Sequence, residues 1–291
     1  METTDLVSPK QVARAIGVSE SSLKRWCDQG LIQAVRTMGG HRKMRISDVL
    51  RFVREQNHQL VSPEVLDLPP ASEKAELGLS RARPLLVDAL LAGNEVVARQ
   101  LVFDLYRAKH SVSVICDSLI AAAFHDIGDR WACQSADPYQ ERRGCEIGVR
   151  ILFDLRRIQS EPDKKWAAIG GTIEGDLYSL PSAMVELVLR DSGWNAATLG
   201  TSLPFASLIK AIQETKPRLF WLSVSYIREG VDFEAGCAAL SKACEKTKAV
   251  FLMGGQALTK EIRQKIKCSA FCDSVQHLET IAREIKEKAS P

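Results

Sequence analysis

Apolar side chains recur three and four residues apart through most of the first 160 positions, then give way to short apolar runs alternating with helical stretches. The first such stretch starts at Ser8, an N-cap residue with Pro9 at the first helical position and Gln11 where a capping box needs it. Gly17 ends this helix and Ser19 caps a second one. Leu23 and Trp26 stand three apart, which predicts packing on Val12 and Ile16 and leaves Ser21, Ser22, Lys24 and Arg25 facing outward. Two short helices joined at a glycine predict helix-turn-helix geometry, with the second helix free to enter a major groove.

From Ser80 to about Gln159 the apolar residues fall into four helical sets: Leu85 to Leu90, Val96 to Leu105, Val114 to Ala123 and Ile147 to Leu155. Gly93, the Lys109-His110 corner and Asp137-Pro138 separate them, and such short connections predict an antiparallel four-helix bundle. From Lys165 onward the runs at Trp166 to Gly171, Asn195 to Leu199, Leu219 to Ser225 and Ala249 to Gly255 alternate with helical stretches. That alternation predicts a doubly wound parallel sheet of the flavodoxin or Rossmann kind, which binds ligands beyond the carboxyl ends of its strands. Gly170-Gly171, Glu174-Gly175-Asp176, Ser223, Ser225 and Gly254-Gly255 would gather there, the glycines allowing a ligand close to the backbone. The expected fold class is multidomain, α followed by α/β. Its divisions are a winged head at 1–56, a linker rich in proline and acids at 57–79, the bundle at 80–160 and the α/β domain at 164–291.

Charge sharpens the reading of the head. Its first 58 residues hold ten Lys and Arg against six Asp and Glu, whereas the whole chain is only +3. The basic run Arg36-Thr37-Met38-Gly39-Gly40-His41-Arg42-Lys43-Met44-Arg45 contains no acid, and Gly39-Gly40 can take the positive φ angles of a tight hairpin. A wing beside the second helix is expected, followed by a helix capped by Ser47. Lys24 and Arg25, with Ser21 and Ser22 beside them, are then candidates for DNA contact on the second helix, and His41, Arg42, Lys43 and Arg45 for the adjacent backbone. Eight scattered cysteines without a CxxC pair favour reduced, buried thiols over zinc or disulfides, Cys133 included. No apolar run approaches the roughly 18 residues of a membrane span, and the N-terminus lacks the apolar core of a secretory signal, so a cytoplasmic protein is expected.

The order helix, turn, helix, Gly39-Gly40-His41-Arg42 wing, helix resembles the DNA-binding domain of the MerR family of transcription regulators. A helical bundle followed by a small parallel α/β domain resembles the cobalamin-binding module of B12-dependent regulators of the CarH and LitR photoreceptor type, and of corrinoid carrier domains in methyltransferases. In those modules a bundle tryptophan is followed, after nine intervening residues, by Glu-His. Here Trp131 is followed at that spacing by Glu141-Arg142, and residue 132, where light-sensing relatives carry a further histidine, is Ala132. Their α/β domain carries Asp/Glu-x-His-x-x-Gly, whose histidine is the lower cobalt ligand. The matching segment here runs from Asp176 to Pro181, with Tyr178 at the histidine position. Ser223-Val224-Ser225 replaces Ser-x-Leu, and Gly254-Gly255 is retained.

The resemblance thus implies a cofactor site built from Trp131, Glu141, Arg142, Asp176, Tyr178, Ser223, Ser225, Gly254 and Gly255, with no imidazole and no metal ligand. Arginine cannot ligate a metal and neutral tyrosine is a poor substitute for imidazole. Three occupancies stay open: adenosylcobalamin or another cobalamin without histidine ligation, a different flat ligand such as haem or a bilin, or no cofactor. Tyrosinate can ligate haem iron, and Arg142 suits a propionate. His125, six residues before Trp131, is expected to be a packed or hydrogen-bonded structural residue. The implied function is non-enzymatic: a transcription regulator on a double-stranded, pseudo-palindromic operator, acting as a homo-oligomer (dimer or tetramer), whose C-terminal module controls assembly or DNA affinity in response to light or a tetrapyrrole. The alternatives are a cobalamin-independent regulator governed by another ligand or a protein antagonist, and a corrinoid carrier in methyl transfer.

Overall fold

The computed structural model describes residues 6–70 and 78–289, and the chain divides into two compact units, residues 1–111 with 118–160 and residues 112–117 with 161–291. In the first unit, strand β1 (Leu6–Val7) leads into α1 (Pro9–Ile16) and α2 (Glu20–Asp28). Ser8 caps α1 in a full capping box with Gln11, and Gly17 closes it with φ +75°. Leu23 is wholly buried, as is Val12. Trp26 is half-buried, with its ring 4.9 Å from Phe52 of α3 (Ile46–Glu55) and 5.0 Å from His58 beyond it, partners that helical spacing within α1 and α2 could not reveal.

The wing consists of β2 (Val35–Arg36) and β3 (Arg42–Arg45), antiparallel, with β1 completing a three-stranded sheet in the order β1-β3-β2. Gly40 takes φ +76°, whereas Gly39 is not among the positive-φ residues. Helix α3 starts two residues earlier than expected, with Arg45 at its N-cap and Ser47 buried inside its first turn.

Part of the stretch expected as a linker is structured. Residues Pro63–Leu66 form a 3-10 turn whose Pro63 and Leu66 are buried, and the Val61 and Ser62 N–H groups donate to the Ala15 carbonyl. Next, the Pro69 and Pro70 carbonyls accept from the Arg107 guanidinium, and Gln100 also donates to Pro70 at 2.7 Å. Four residues of tight turn carry no periodic signal, and proline carbonyls held by side chains carry none either.

The bundle comprises α4 (Leu79–Ala92), α5 (Glu95–Arg107), a third helix made of α6 (Val112–Val114), a π-turn at Ile115–Ala121 and α7 (Ala122–Ala132), and α8 (Pro138–Arg157). Gly93 ends α4 with φ +71°, Lys109 makes the next corner with φ +66°, and Asp137 caps α8 in a capping box with Gln140.

The second unit is a parallel sheet of β4 (Asp163–Thr172), β5 (Trp194–Thr198), β6 (Leu219–Ser223), β7 (Val250–Gly254) and β8 (Ala270–Phe271). Its order is β5-β4-β6-β7-β8, the flavodoxin-like arrangement whose switch point lies between β4 and β6. Helices α9 (Ser179–Asp191), α10 (Phe205–Thr215), α11 (Phe233–Thr247), the short α12 (Lys260–Lys265) and α13 (Val275–Lys288) follow the strands in turn. Both Asp117 carboxylate oxygens accept N–H groups at the start of α13, from Val275 at 3.0 Å and Gln276 at 2.9 Å. Among the described residues, no helix is long and apolar enough to cross a membrane.

The central strands pack so closely that glycine is required on them. A Cβ on Gly255, whose φ is +127°, would overlap the Val224 carbonyl oxygen, so both backbone strain and contact oppose any side chain there. Gly255→Ala is therefore expected to lower the stability of the α/β unit by about 2–5 kcal/mol, measured by denaturant unfolding followed through the buried Trp194 and Trp221. An unchanged midpoint would refute the close approach.

Candidate functional site

Three groups of expected site residues sit on separate elements. On the head, Ser21, Lys24 and Arg25 of α2 are exposed. Ser22 is half-buried, and its N–H donates to the Ser19 hydroxyl at 3.1 Å, while that hydroxyl also lies 2.8 Å from the Ser21 Oγ and 3.0 Å from the Ser22 Oγ. The two serines therefore belong to the cap of α2, and Lys24 and Arg25 carry its projecting charge.

On the wing, His41 is exposed and Lys43 and Arg45 are half-buried. Arg42 turns back onto the head, where its guanidinium pairs with Asp28 at 2.8 Å at the C-terminal end of α2. An arginine expected to reach DNA thus also fastens the wing to α2. Below it Met44 is buried against Cys27, whose thiol is raised above the ordinary range by burial.

In the bundle, Trp131 ends α7 and is 52% exposed. It lines an open cavity of about 440 Å³ together with Gln134, Ser135, Ala136, Asp137, Pro138 and Gln140. Glu141 is half-buried and Arg142 exposed on the next turn, and neither lines that cavity, so the Trp131 and Glu141-Arg142 positions are not gathered into it. Two expectations fail here. Cys133 is exposed at the C-cap of α7, where a short α7–α8 loop covers nothing, and His125 is exposed on α7, whereas Ala123 and Ile127 turn inward.

The α/β unit does gather its residues. Thr172, Ser223 and Gly254 stand side by side in register at the carboxyl ends of β4, β6 and β7. The loop after β4 brings Asp176 beneath them, fully buried. Its Oδ1 accepts the Tyr178 N–H at 3.1 Å, and its Oδ2 accepts Ser225 N–H at 2.7 Å and Tyr226 N–H at 3.2 Å. One carboxylate therefore ties the loop after β4 to the loop after β6, across the switch point. Burial raises the Asp176 pKa above the usual carboxylate value, and the three backbone N–H groups oppose that rise.

Residues that pattern reading passed over complete the arrangement. The Thr172 hydroxyl donates to the Asp176 carbonyl at 2.6 Å and accepts the Ser202 N–H at 2.9 Å. The Ser202 hydroxyl accepts the Gly175 N–H at 3.0 Å, and Arg228 pairs with Glu174 at 3.2 Å. Ser182 donates to the buried Ser223 hydroxyl at 3.2 Å and accepts the Trp221 indole N–H at 3.3 Å. Isolated Thr and Ser side chains give no spacing signal, which is why Thr172, Ser182 and Ser202 were missed.

Tyr178 sits half-buried at the N-cap of α9, without a side-chain cap bond. The glycines make close contacts with their own chain. A Cβ on Gly254 would lie 2.8 Å from the Cys272 carbonyl oxygen, one on Gly171 2.6 Å from that of Gly200, and one on Gly170 would overlap Trp221. At these three positions the direction a side chain would take is occupied by neighbouring protein. Among the described residues no group of three His, Cys, Asp or Glu side chains could hold a metal ion.

Because the folded-state pKa of Asp176 exceeds the unfolded one, the native state binds this proton more tightly. Its contribution is full at low pH, falls as pH rises from about 3.9 through the raised native value, and is flat above it. Asp176→Asn is expected to flatten that segment of the stability profile. It also places an amide NH2 against a backbone donor, which should cost about 1–3 kcal/mol at neutral pH. Chemical denaturation at stepped pH measures both, and unaltered stability would remove Asp176 from its bridging role.

With this geometry in place, the likenesses to known proteins fall into line. Residues 6–57 match the family described as a helix-turn-helix domain. Dimethylamine corrinoid protein 3 of Methanosarcina mazei is 22% identical over 138 residues, covering 47% of this chain and 83% of that protein. Trimethylamine corrinoid protein 1 of Methanosarcina acetivorans is 22% identical over 139 residues, and the chain spans only 64% of its length. The structure of the Methanosarcina barkeri monomethylamine corrinoid protein superposes with a TM-score of 0.57 at 15% identity, over 72% of this chain and all of that one. A helix-turn-helix head is thus joined to a module with the corrinoid-protein fold.

Proposed function

We propose that this chain is a DNA-binding transcription regulator of the MerR type, which grips a pseudo-palindromic operator as a dimer or tetramer and whose C-terminal module adjusts assembly or DNA affinity. The observation that carries this reading is the head itself: Lys24 and Arg25 project from the exposed face of α2, and a basic wing is pinned beside them by the Arg42–Asp28 pair. Phosphate contacts from these cations would supply affinity, and α2 in a major groove would supply sequence preference. The module would act by binding its ligand more tightly in one oligomeric arrangement than in another, which shifts DNA occupancy. No catalytic step is assigned to it.

The corrinoid-protein fold implies cobalamin, and the residues present do not fit a cobalt ion held by a protein imidazole. Position 178 is tyrosine, position 142 is arginine, and Asp176 is committed to three backbone N–H groups. The proposal therefore treats a corrinoid, if bound, as lacking a protein nitrogen below cobalt, with haem, a bilin or a protein antagonist as the competing signals. Light response through a cobalt–carbon bond is not part of the reading.

The test is selection of duplexes from a randomised pool by the full chain, followed by binding isotherms across a range of salt. A selected duplex is expected, and Lys24→Ala, Arg25→Ala and Lys43→Ala should each reduce the magnitude of the log K against log salt slope by about 0.9 where the side chain meets a phosphate. Arg42→Ala should weaken binding to all duplexes with a smaller change of slope, since its charge is shared with Asp28. Failure to enrich any duplex, or four variants with unaltered slope and affinity, would overturn the reading.

A further inference from the structure

We propose that Met38, at the tip of the wing, is an apolar wedge that enters the minor groove and inserts its side chain between adjacent base steps. The proposal rests on the DNA-binding reading above and adds a residue that determines where on the duplex the wing settles. Met38 is 109% exposed, more than a reference side chain in an extended peptide, and it exceeds every other exposed large apolar side chain among the described residues. Single apolar side chains are commonly exposed on protein surfaces, so it is the place of Met38 at the tip of a basic wing, together with its full exposure, that carries the proposal.

The turn that carries it is defined. The Thr37 N–H donates to the His41 carbonyl at 2.9 Å and the Gly40 N–H to the Thr37 carbonyl at 2.8 Å, so Met38 stands at the apex. Behind it, Gly39 and Gly40 have no side chains, and a Cβ built on Gly40 would meet nothing within 4 Å. The result is a narrow hairpin tip, suited to a minor groove about 6 Å wide. Exposed Arg36 and His41 flank the apex, and Lys43 follows on β3, where the groove's phosphate walls would stand.

The chemistry of the tip decides between two modes of groove contact. A thioether is at best a weak hydrogen-bond acceptor, so Met38 cannot read base edges as an arginine or asparagine would. What it can exchange is apolar surface, and insertion at a partly unstacked step removes that surface from water. Pyrimidine–purine steps unstack most readily, so the wedge would favour a TA or CA/TG step at a fixed distance from the segment read by α2.

The experiment uses the full chain and a duplex it selects from a randomised pool, with 2-aminopurine substituted for one adenine at a time. Binding is expected to raise 2-aminopurine fluorescence at one step in each half-site. Met38→Ser should abolish that rise and weaken binding by about tenfold, near the lower end of what burying one such side chain is worth. Met38→Leu should preserve both. The exposure of Met38 means neither variant disturbs the fold, which a thermal melt checks. A wild-type complex with no rise at any position, or Met38→Ser retaining the rise and the affinity, would overturn the wedge while leaving DNA binding intact. Failure to select any duplex would overturn the DNA-binding reading and the wedge with it.

Discussion

A single carboxylate across the switch point sets the geometry of the α/β unit. Asp176 is buried and receives three backbone N–H groups from two loops that are 49 and 50 residues apart in sequence from it or adjacent to it. Burying a charge is costly, and charge-assisted bonds to fixed N–H groups offset the cost only when all of them are made. The loops after β4 and β6 are therefore held in one arrangement, with Thr172 and Ser202 completing the bonding around the Asp176 carbonyl. Tyr178, two residues beyond the carboxylate, is placed at the start of α9 by the same bond that satisfies Asp176. The tight glycine contacts at positions 170, 171, 254 and 255 leave the strand ends packed against their own neighbours.

The head is organised by a different principle, a small apolar seat that leaves its cations outside. Leu23 and Val12 are wholly buried, Trp26 rests on Phe52 and His58, and Lys24 and Arg25 are left on the open side of α2. The Arg42–Asp28 pair couples wing to helix, and since both partners are partly exposed its worth lies more in orientation than in stability. Within the same unit, Arg107 holds the Pro69 and Pro70 carbonyls while Asp104 pairs with it, so the chain between head and bundle is strapped to α5. The Arg42–Asp28 pair thus presents α2 and the wing together.

Much of this fold was legible because periodicity survives in long elements. Ser8, Gln11 and Gly17 marked the ends of α1, and the four bundle segments and four of the five parallel strands fell where apolar spacing placed them. Strands β1 and β8, two residues each, are too short for any period, and the 3-10 turn at Pro63–Leu66 has none. At the candidate site, the glycine, serine and acidic residues named from sequence do lie together at the strand ends, whereas the close contacts of the glycines with their own chain had no signal in the sequence. Cys133 and His125 were misjudged for a related reason: composition suggests burial of a thiol, while exposure depends on where α7 ends.

The chain joins a helix-turn-helix domain to a module with the corrinoid-protein fold, and on the proposed reading that module offers cobalt no nitrogen ligand, with tyrosine at position 178. The most direct test of that description is the electron paramagnetic resonance spectrum of the protein mixed, in darkness, with Co(II) cobinamide, a corrinoid that has no nucleotide base of its own. Any axial nitrogen must then come from the chain. A spectrum without nitrogen superhyperfine splitting is expected, whether or not the corrinoid is retained, and a resolved nitrogen triplet would contradict it by revealing an imidazole ligand in a site built around Asp176 and Tyr178.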